Sequence, residues 1–374
     1  GVKIASKIVD FLNYTIDIVI VIYRRCVIIS TKEMRKMKPI KVVQYGCWWL
    51  THAEHTMLTM RSLPQYFDVV GFCEPDEEKL KSALNLPAYQ GLRIISKEEL
   101  LSGFCADAII VETAEVEQVD DALMFAKAGY HIHSDKPCGA SDEVFAELMK
   151  TVLDNNLIFQ NGYMYRYNPA VLRALEIVRS GELGELICVE AQMSQCYHGD
   201  VLNSLRDLPG GMMFYLGCHL VDLVYQFMGE PLEVIPMNTE SGLESPDVTD
   251  FGMALLKYKH GLSLIKTVAC EVSGDARRQF VISGTKGTIE IKPIESPHDL
   301  PGTVCGNKIS MTITRTGHPS LFADRPEIIS FPPYGRYDAM MIDFAKTVAG
   351  EKTNDFDCKK ELAVHKLLTK VCGR

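Results

Sequence analysis

The chain reads as a two-domain α/β protein: a doubly wound parallel sheet, then an α+β domain with a large, mostly antiparallel open sheet. Three observations predict this. Between residues 40 and 163, short apolar strand patterns alternate with helical patterns of about 10–15 residues, which marks a parallel sheet with crossover helices. After Pro169 the pattern changes to strand-like runs joined by turn residues such as Lys259-His260-Gly261. The length of 374 residues fits two domains of roughly 100–200 residues each. The expected divisions are an extension over 1–37, a dinucleotide-binding domain over 38–158, and a substrate and oligomerisation domain over 159–374.

In order, Ile40–Tyr45 is an apolar strand ending at Gly46, and a helix follows from His52 to Leu63. Phe67–Cys73 is a second strand, closed by Glu74, with a helix from Pro75-Asp76 to Leu84. Ile94-Ile95 reads as a short strand, and Ser96-Lys97-Glu98-Glu99 has the spacing of a capping box. Asp107–Val111 is a strand, and Val116–Ala128 a helix stopped by Gly129. Tyr130–His133 is a strand leading into Asp135-Lys136-Pro137, followed by a helix over Ser141–Asn155 and a strand over Leu157–Tyr163. Right-handed crossovers leave few topologies other than a doubly wound one. Beyond Pro169, helices are expected over Ala170–Ser180, Gly217–Met228, Tyr337–Ala349 and Lys359–Val371. Strands are expected over Leu186–Gln195, Phe251–Tyr258, Leu262–Glu271, Gln279–Ser283, Thr288–Lys292 and Lys308–Thr314.

Composition narrows the function classes. The net charge of -9 supplies no basic patch for nucleic acid. The apolar run Ile18–Tyr23 is far short of the roughly 20 residues a membrane span needs, and no signal-peptide cleavage pattern follows it. The 12 cysteines form no C-x-x-C pair and several sit in apolar runs, which points to a reducing, cytoplasmic setting and to no metal site.

Chemistry-bearing residues cluster at strand ends. Strand, glycine turn, helix, strand and acid form the dinucleotide-binding order, with pyrophosphate at the helix N-terminus and the acid on the ribose. Here the turn is Gln44-Tyr45-Gly46-Cys47-Trp48-Trp49, and the acid is Glu74. Only the middle glycine of G-x-G-x-x-G survives. Trp49 replaces the glycine that permits close helix–strand packing, and is expected to hinder it. A carboxylate at Glu74 suits NAD and repels the extra phosphate of NADP; the bland alternative is an ordinary surface glutamate. Asp135 and Lys136 occupy the carboxyl end of a strand, where open α/β sheets place ligands.

With the second domain included, the chain resembles the Gfo/Idh/MocA oxidoreductase family. The family's E-K-P appears as Asp135-Lys136-Pro137. Its G-F-M-x-R-F-N-P resembles Gly162-Tyr163-Met164-Tyr165-Arg166-Tyr167-Asn168-Pro169, and its S-G-x-L-G-x-(I/V) resembles Ser180–Leu186. Its G-G-x-x-x-D-x-G-x-H-x-x-D resembles Gly210–Asp222, and Ser283–Ile289 matches its late hairpin. The resemblance covers roughly Lys41 to the C-terminus. It implies a Rossmann domain plus an α/β domain whose open sheet joins subunits into a homodimer or homotetramer. It also implies NAD as cofactor, with NADP disfavoured by Glu74, and a small-molecule substrate, a sugar or polyol. Gly46, Cys47, Trp48, Glu74, Thr113, Asp135 and Lys136 would hold the cofactor. Lys136 would stabilise alkoxide charge and His219 would be the acid/base. Arg166, Asn168 and Asp222 would line the substrate crevice.

One departure matters most. Tyr215 stands where the family has the aspartate that supports its histidine. A helical spacing of four would put Tyr215 and His219 on one face, so that the phenol donates a hydrogen bond, relays a proton or fills the space. Ala114 and Gln118 are lesser departures. The leading expectation is hydride transfer between NAD and a secondary hydroxyl. An enzyme that retains NAD for net glycosidic cleavage, epimerisation or elimination, and a non-catalytic sugar- or NAD-sensing regulator, are the alternatives. Specificity is expected from loops 196–209 and 293–307. Lys136 is expected to carry site charge and no core contact.

Overall fold

A computed structural model describes residues 37–49, 52–242, 245–295, 304–305, 309–316 and 324–374. The expectations for residues 1–36, and most of those for the loop 293–307, lie outside the described residues. Pro39–Arg374 is one compact unit carrying two main sheets.

The first sheet is parallel, with strands β1 (Ile40–Tyr45), β2 (Phe67–Cys73), β3 (Ala108–Val111), β4 (His131–Ser134) and β5 (Phe159–Asn161) in the order 2-1-3-4-5. Every residue of β3 is buried, as expected where helices cover a parallel sheet. Helices α1 (Ala53–Ser62), α2 (Glu77–Ala83), α3 (Lys97–Leu101), α4 (Gln118–Lys127) and α5 (Asp142–Asp154) lie between or beside these strands in sequence. Their starts are chemically marked. Asp76 accepts the amides of Glu78 and Lys79, and Ser141 accepts that of Val144. Only half of the capping box at Ser96 forms: its hydroxyl accepts the Glu99 amide, while the Glu99 carboxylate pairs with Arg93. Ile94 makes a single bridge to Phe72 rather than a strand.

Helix α6 (Pro169–Arg179) leads into the second sheet, whose strands are β6 (Leu186–Gln192), β7 (Glu233–Pro236), β8 (Phe251–Lys257), β9 (Leu262–Val268), β10 (Gln279–Gly284), β11 (Gly287–Ile291), β13 (Ser310–Arg315) and β14 (Glu327–Ser330). A separate two-stranded ribbon pairs β12 (Val304–Cys305) with β15 (Tyr334–Gly335). The large sheet runs 14-13-11-10-6-9-8-7, antiparallel except where β6 lies parallel to β9. Its strands alternate between buried and half-buried residues, as in β8 and β10, so one face meets the core. Three further helices belong here: α7 (Gly199–Ser204), α8 (Met212–Tyr215) and α9 (Gly217–Met228). The last of them packs on β6 and β9. Helix α10 (Asp338–Val348) precedes α11 (Cys358–Val371), which returns to pack along α5 of the first sheet. There the His365 ring stacks on Phe145 at 4.1 Å, and Thr369 donates to Asp142 at 2.7 Å.

Candidate active site

In an open parallel sheet the ligand crevice opens where strand order reverses. Here that point is between β1 and β3, and Gly46 and Thr113 face each other across it. Gly46 has φ +87°, and a Cβ on it would stand 2.6 Å from Thr113 Cγ2 and 2.9 Å from the carbonyl carbon of Glu112. The turn is pinned by the Gly46 amide on the Cys73 carbonyl (2.8 Å) and the Trp48 amide on the Glu112 carbonyl (2.9 Å). Gly46→Ala is therefore expected to cost about 2 kcal/mol of stability through backbone strain and contact. It should also weaken NADH binding tenfold or more, on the order expected when backbone can no longer approach a pyrophosphate. Fluorescence titration and a melting curve check both; unchanged affinity would remove this turn from the site.

The two lost glycines have physical replacements. Gln44 is fully buried, and its amide donates to the Gly46 carbonyl and the Tyr89 hydroxyl, both at 3.1 Å. Trp49 does not obstruct helix–strand packing. It is 55% exposed, and α1 begins only at Ala53. Trp48 instead stacks under the Lys79 ammonium at 4.6 Å. Glu74 lies over the turn: Oε2 accepts the Cys47 amide at 2.9 Å and its thiol at 3.2 Å, and Oε1 accepts the Asp76 amide at 3.0 Å. Thr113 turns its methyl group to Gly46, while its hydroxyl donates to Asp121 at 2.8 Å.

At the end of β4, Asp135 is 2% exposed and bound to the start of α1. It accepts the His52 amide at 3.2 Å and pairs with His52 Nδ1 at 2.9 Å. Burial opposes its charge, but His52 and the Lys136 ammonium hold the carboxyl well below the carboxylate range. Its oxygens anchor the first turn of α1. Lys136 is also only 2% exposed. Its Nζ donates to the Tyr215 carbonyl at 3.3 Å and sits 4.6 Å over the Tyr215 ring. So it does make core contacts, contrary to expectation. Burial favours the neutral amine, but Cys218, Asp135 and Glu115 outweigh it and raise the lysine's pKa.

His219 is 2% exposed, with the rings of Tyr165 and Tyr163 edge-on at 4.8 and 6.0 Å. Its Nδ1 has no hydrogen-bond partner. Burial, then the charges of Lys136, His52, Arg336 and Arg278, push it well below 6.5, so the ring is a neutral imidazole. Tyr215 does not support it through a helical turn, which corrects the expected pairing. Tyr215 ends α8, Leu216 breaks the helix at φ −110°, and His219 belongs to α9. The Tyr215 ring instead lies under Lys136 and edge-on to Tyr197 at 6.1 Å. Burial raises its phenol well above 10.

Arg166 and Asp222, expected at the substrate crevice, have side chains 1% exposed and bound to each other. Arg166 Nε and Nη2 donate to Asp222 at 3.0 and 2.8 Å, Nη1 and Nη2 donate to Glu361 at 2.5 and 3.1 Å, and Phe356 covers the guanidinium at 4.0 Å. Asn168 caps α6, accepting the amides of Ala170 and Val171, while its Nδ2 donates to the Ile294 carbonyl at 2.8 Å. Sequence reasoning missed a second group, in which Tyr165, Arg278, Glu295 and Arg336 interlock beside His219. They sit in turns and at element ends, where no periodicity marks them.

A glycine turn and an acid stand at the switch point, and a buried lysine and a neutral histidine stand at the end of β4 and in α9. Residues 171–290 match the GFO/IDH/MocA C-terminal domain. An uncharacterized oxidoreductase of Schizosaccharomyces pombe is 24% identical over 266 residues, 67% of this chain and 70% of that protein. D-xylose 1-dehydrogenase (NADP(+)) 2 of Haloferax volcanii is 28% identical over 215 residues, 56% of this chain and 62% of that one. Two solved structures share the fold. Levoglucosan dehydrogenase in complex with NADH and levoglucosan has TM-score 0.74 at 16% identity, covering 90% of this chain and 98% of that one. A 3-ketoreductase from Actinomadura kijaniata with NADP and TDP-benzene has TM-score 0.72 at 16% identity, covering 89% and 97%.

Proposed function

We propose that the protein is an NAD-dependent dehydrogenase that oxidises a secondary hydroxyl of a sugar, polyol or related ring. The observation that carries this is the convergence of the Lys136 ammonium and the neutral His219 imidazole at the carboxyl end of the first sheet. The residues present fit a dinucleotide: Gly46 has no room for a Cβ where backbone must approach phosphate, and Glu74 presents a carboxylate at the end of β2. A bound nicotinamide supplies the hydride acceptor. Lys136 polarises the substrate hydroxyl and holds the developing alkoxide, and His219 accepts its proton. No carboxylate of the described residues bonds His219 Nδ1, so the ring works as a weak base kept neutral by its surroundings. The relatives include enzymes named for sugars, which supports that substrate class.

The test is NADH formation, followed by absorbance, across a panel of sugars and polyols. Turnover with at least one supports the reading. Tight NADH binding without turnover of any would favour the retained-cofactor or sensing alternatives. Cofactor choice follows from Glu74, because relatives differ: one is named for NADP, another holds NADH. Glu74→Ser is expected to weaken NAD about tenfold or more and NADP less, since the lost carboxylate recognises a free ribose hydroxyl. Equal weakening, measured by calorimetry, would reject that role. We place a second copy of the chain on the open face of the large sheet, where Met253, Leu255, Leu264 and Val281 are half-buried. A monomer by light scattering would overturn that placement.

A further inference from the structure

The charge balance beside His219 is uneven. Glu295 accepts from Arg278 Nη1 at 2.7 Å and from both Nε and Nη2 of Arg336, the latter at 3.1 Å. The Tyr165 hydroxyl donates to the same carboxylate. The Arg278 and Glu295 side chains are 5% and 4% exposed, and that of Arg336 is 27%. Among the described residues Glu295 is the acid that both guanidiniums share, so within them the two positive charges outnumber the negative by one. Arg278 Nε is buried with no hydrogen-bond partner. The other buried cluster has the opposite stoichiometry, one arginine between Asp222 and Glu361. There protonation can relieve the excess, since burial raises both carboxyls. An arginine has no such outlet, so its excess charge calls for an anion.

The cluster adjoins the proposed chemistry. Arg278 Nη1 lies 3.4 Å from the Tyr165 hydroxyl, and the Tyr165 ring is 4.8 Å from the His219 ring. Arg278, Glu295 and Arg336 come from the chain around the second sheet and before α10, not from the Gly46 turn that suits the cofactor phosphates. We propose that the substrate is a sugar acid or other polyhydroxy carboxylate, whose carboxylate is received by Arg278 while its neighbouring hydroxyl meets Lys136 and His219. A single residual charge matches a monoanion better than a phosphate monoester, which carries about -1.5 to -2 at neutral pH. This inference rests on the dehydrogenase reading for its catalytic geometry, and on the arginine cluster alone for its anion.

The test compares matched substrates on the full chain at saturating NAD: glucuronate with glucose, galacturonate with galactose, gluconate with glucitol, and glucose 6-phosphate as the dianion. An acid should exceed its neutral partner by on the order of 10⁴-fold in kcat/KM, the scale on which a site built for a polar group rejects the analogue that lacks it. Arg278→Gln should collapse that ratio, and Arg278→Lys should restore part of it. Equal turnover of acid and neutral partner in the unaltered protein would overturn the proposal and leave the dehydrogenase reading intact. Preference for the phosphate would overturn the carboxylate. If no compound is oxidised, melting of the NADH-loaded protein decides. Protection by acids but not by neutral partners upholds the anion site while the dehydrogenase reading falls; protection by neither overturns the proposal.

Discussion

Lys136→Met is expected to lower kcat by on the order of 10²–10³ with the protein still folded, the loss seen when one preorganised donor is removed from developing negative charge. Methionine is the suitable replacement because Lys136 is buried over the Tyr215 ring, and alanine would leave a void there. The pH profile supplies a second readout. The Lys136 charge helps to hold His219 below 6.5, so its removal should raise the imidazole pKa. Oxidation needs the neutral ring and fails as pH falls through that pKa. The acid limb of kcat/KM should therefore move to higher pH in the variant. A limb that stays in place, or a kcat near that of the unaltered protein, would separate Lys136 from the reacting centre.

Arg166→Met is expected to destabilise the fold by about 3–5 kcal/mol, the penalty for leaving buried charge unpaired. It would leave Asp222 and Glu361 facing each other, with Phe356 and Tyr163 packed around the gap. Both carboxyls are already raised by burial, and without the guanidinium they would rise further. Acids with raised pKa values bind more protons in the folded state, so stability falls as pH increases above their unfolded values. Urea unfolding should thus show a larger deficit at pH 8 than at pH 5.5. Ordinary stability combined with a raised KM would instead return Arg166 to the substrate crevice.

Local chemistry made much of the fold legible. Ile40–Tyr45, Phe67–Cys73 and Gly217–Met228 emerge with the bounds their patterns predict, because apolar runs or amphipathic faces end at glycine or acid. The short edge strands Glu233–Pro236 and Glu327–Ser330 were not legible, since none of their residues is buried and alternation is weak. Nor was the placing of β6 beside β9, which depends on pairing between distant segments. At the site, Gly46, Glu74, Lys136 and His219 could be singled out because each ends a strand or stands in a motif. Arg166 stood out for the same reason, but its bonds to Asp222 and to Glu361, far along the chain, were not legible. The Arg278–Glu295–Arg336 cluster left no trace, because three residues from separate turns carry no spacing rule.

The return of helix Cys358–Val371 to the first sheet bears on how the protein is made. Domains generally fold as units while the chain emerges from the ribosome, the earlier one first. Here the early sheet lacks part of its cover until the residues around His365 and Thr369 arrive to dock on Phe145 and Asp142. Until then Arg166 also waits for Glu361. The nascent first half is therefore an incomplete body, with an exposed apolar helix face and a half-neutralised charge, whose closure waits until residues 358–371 have been made.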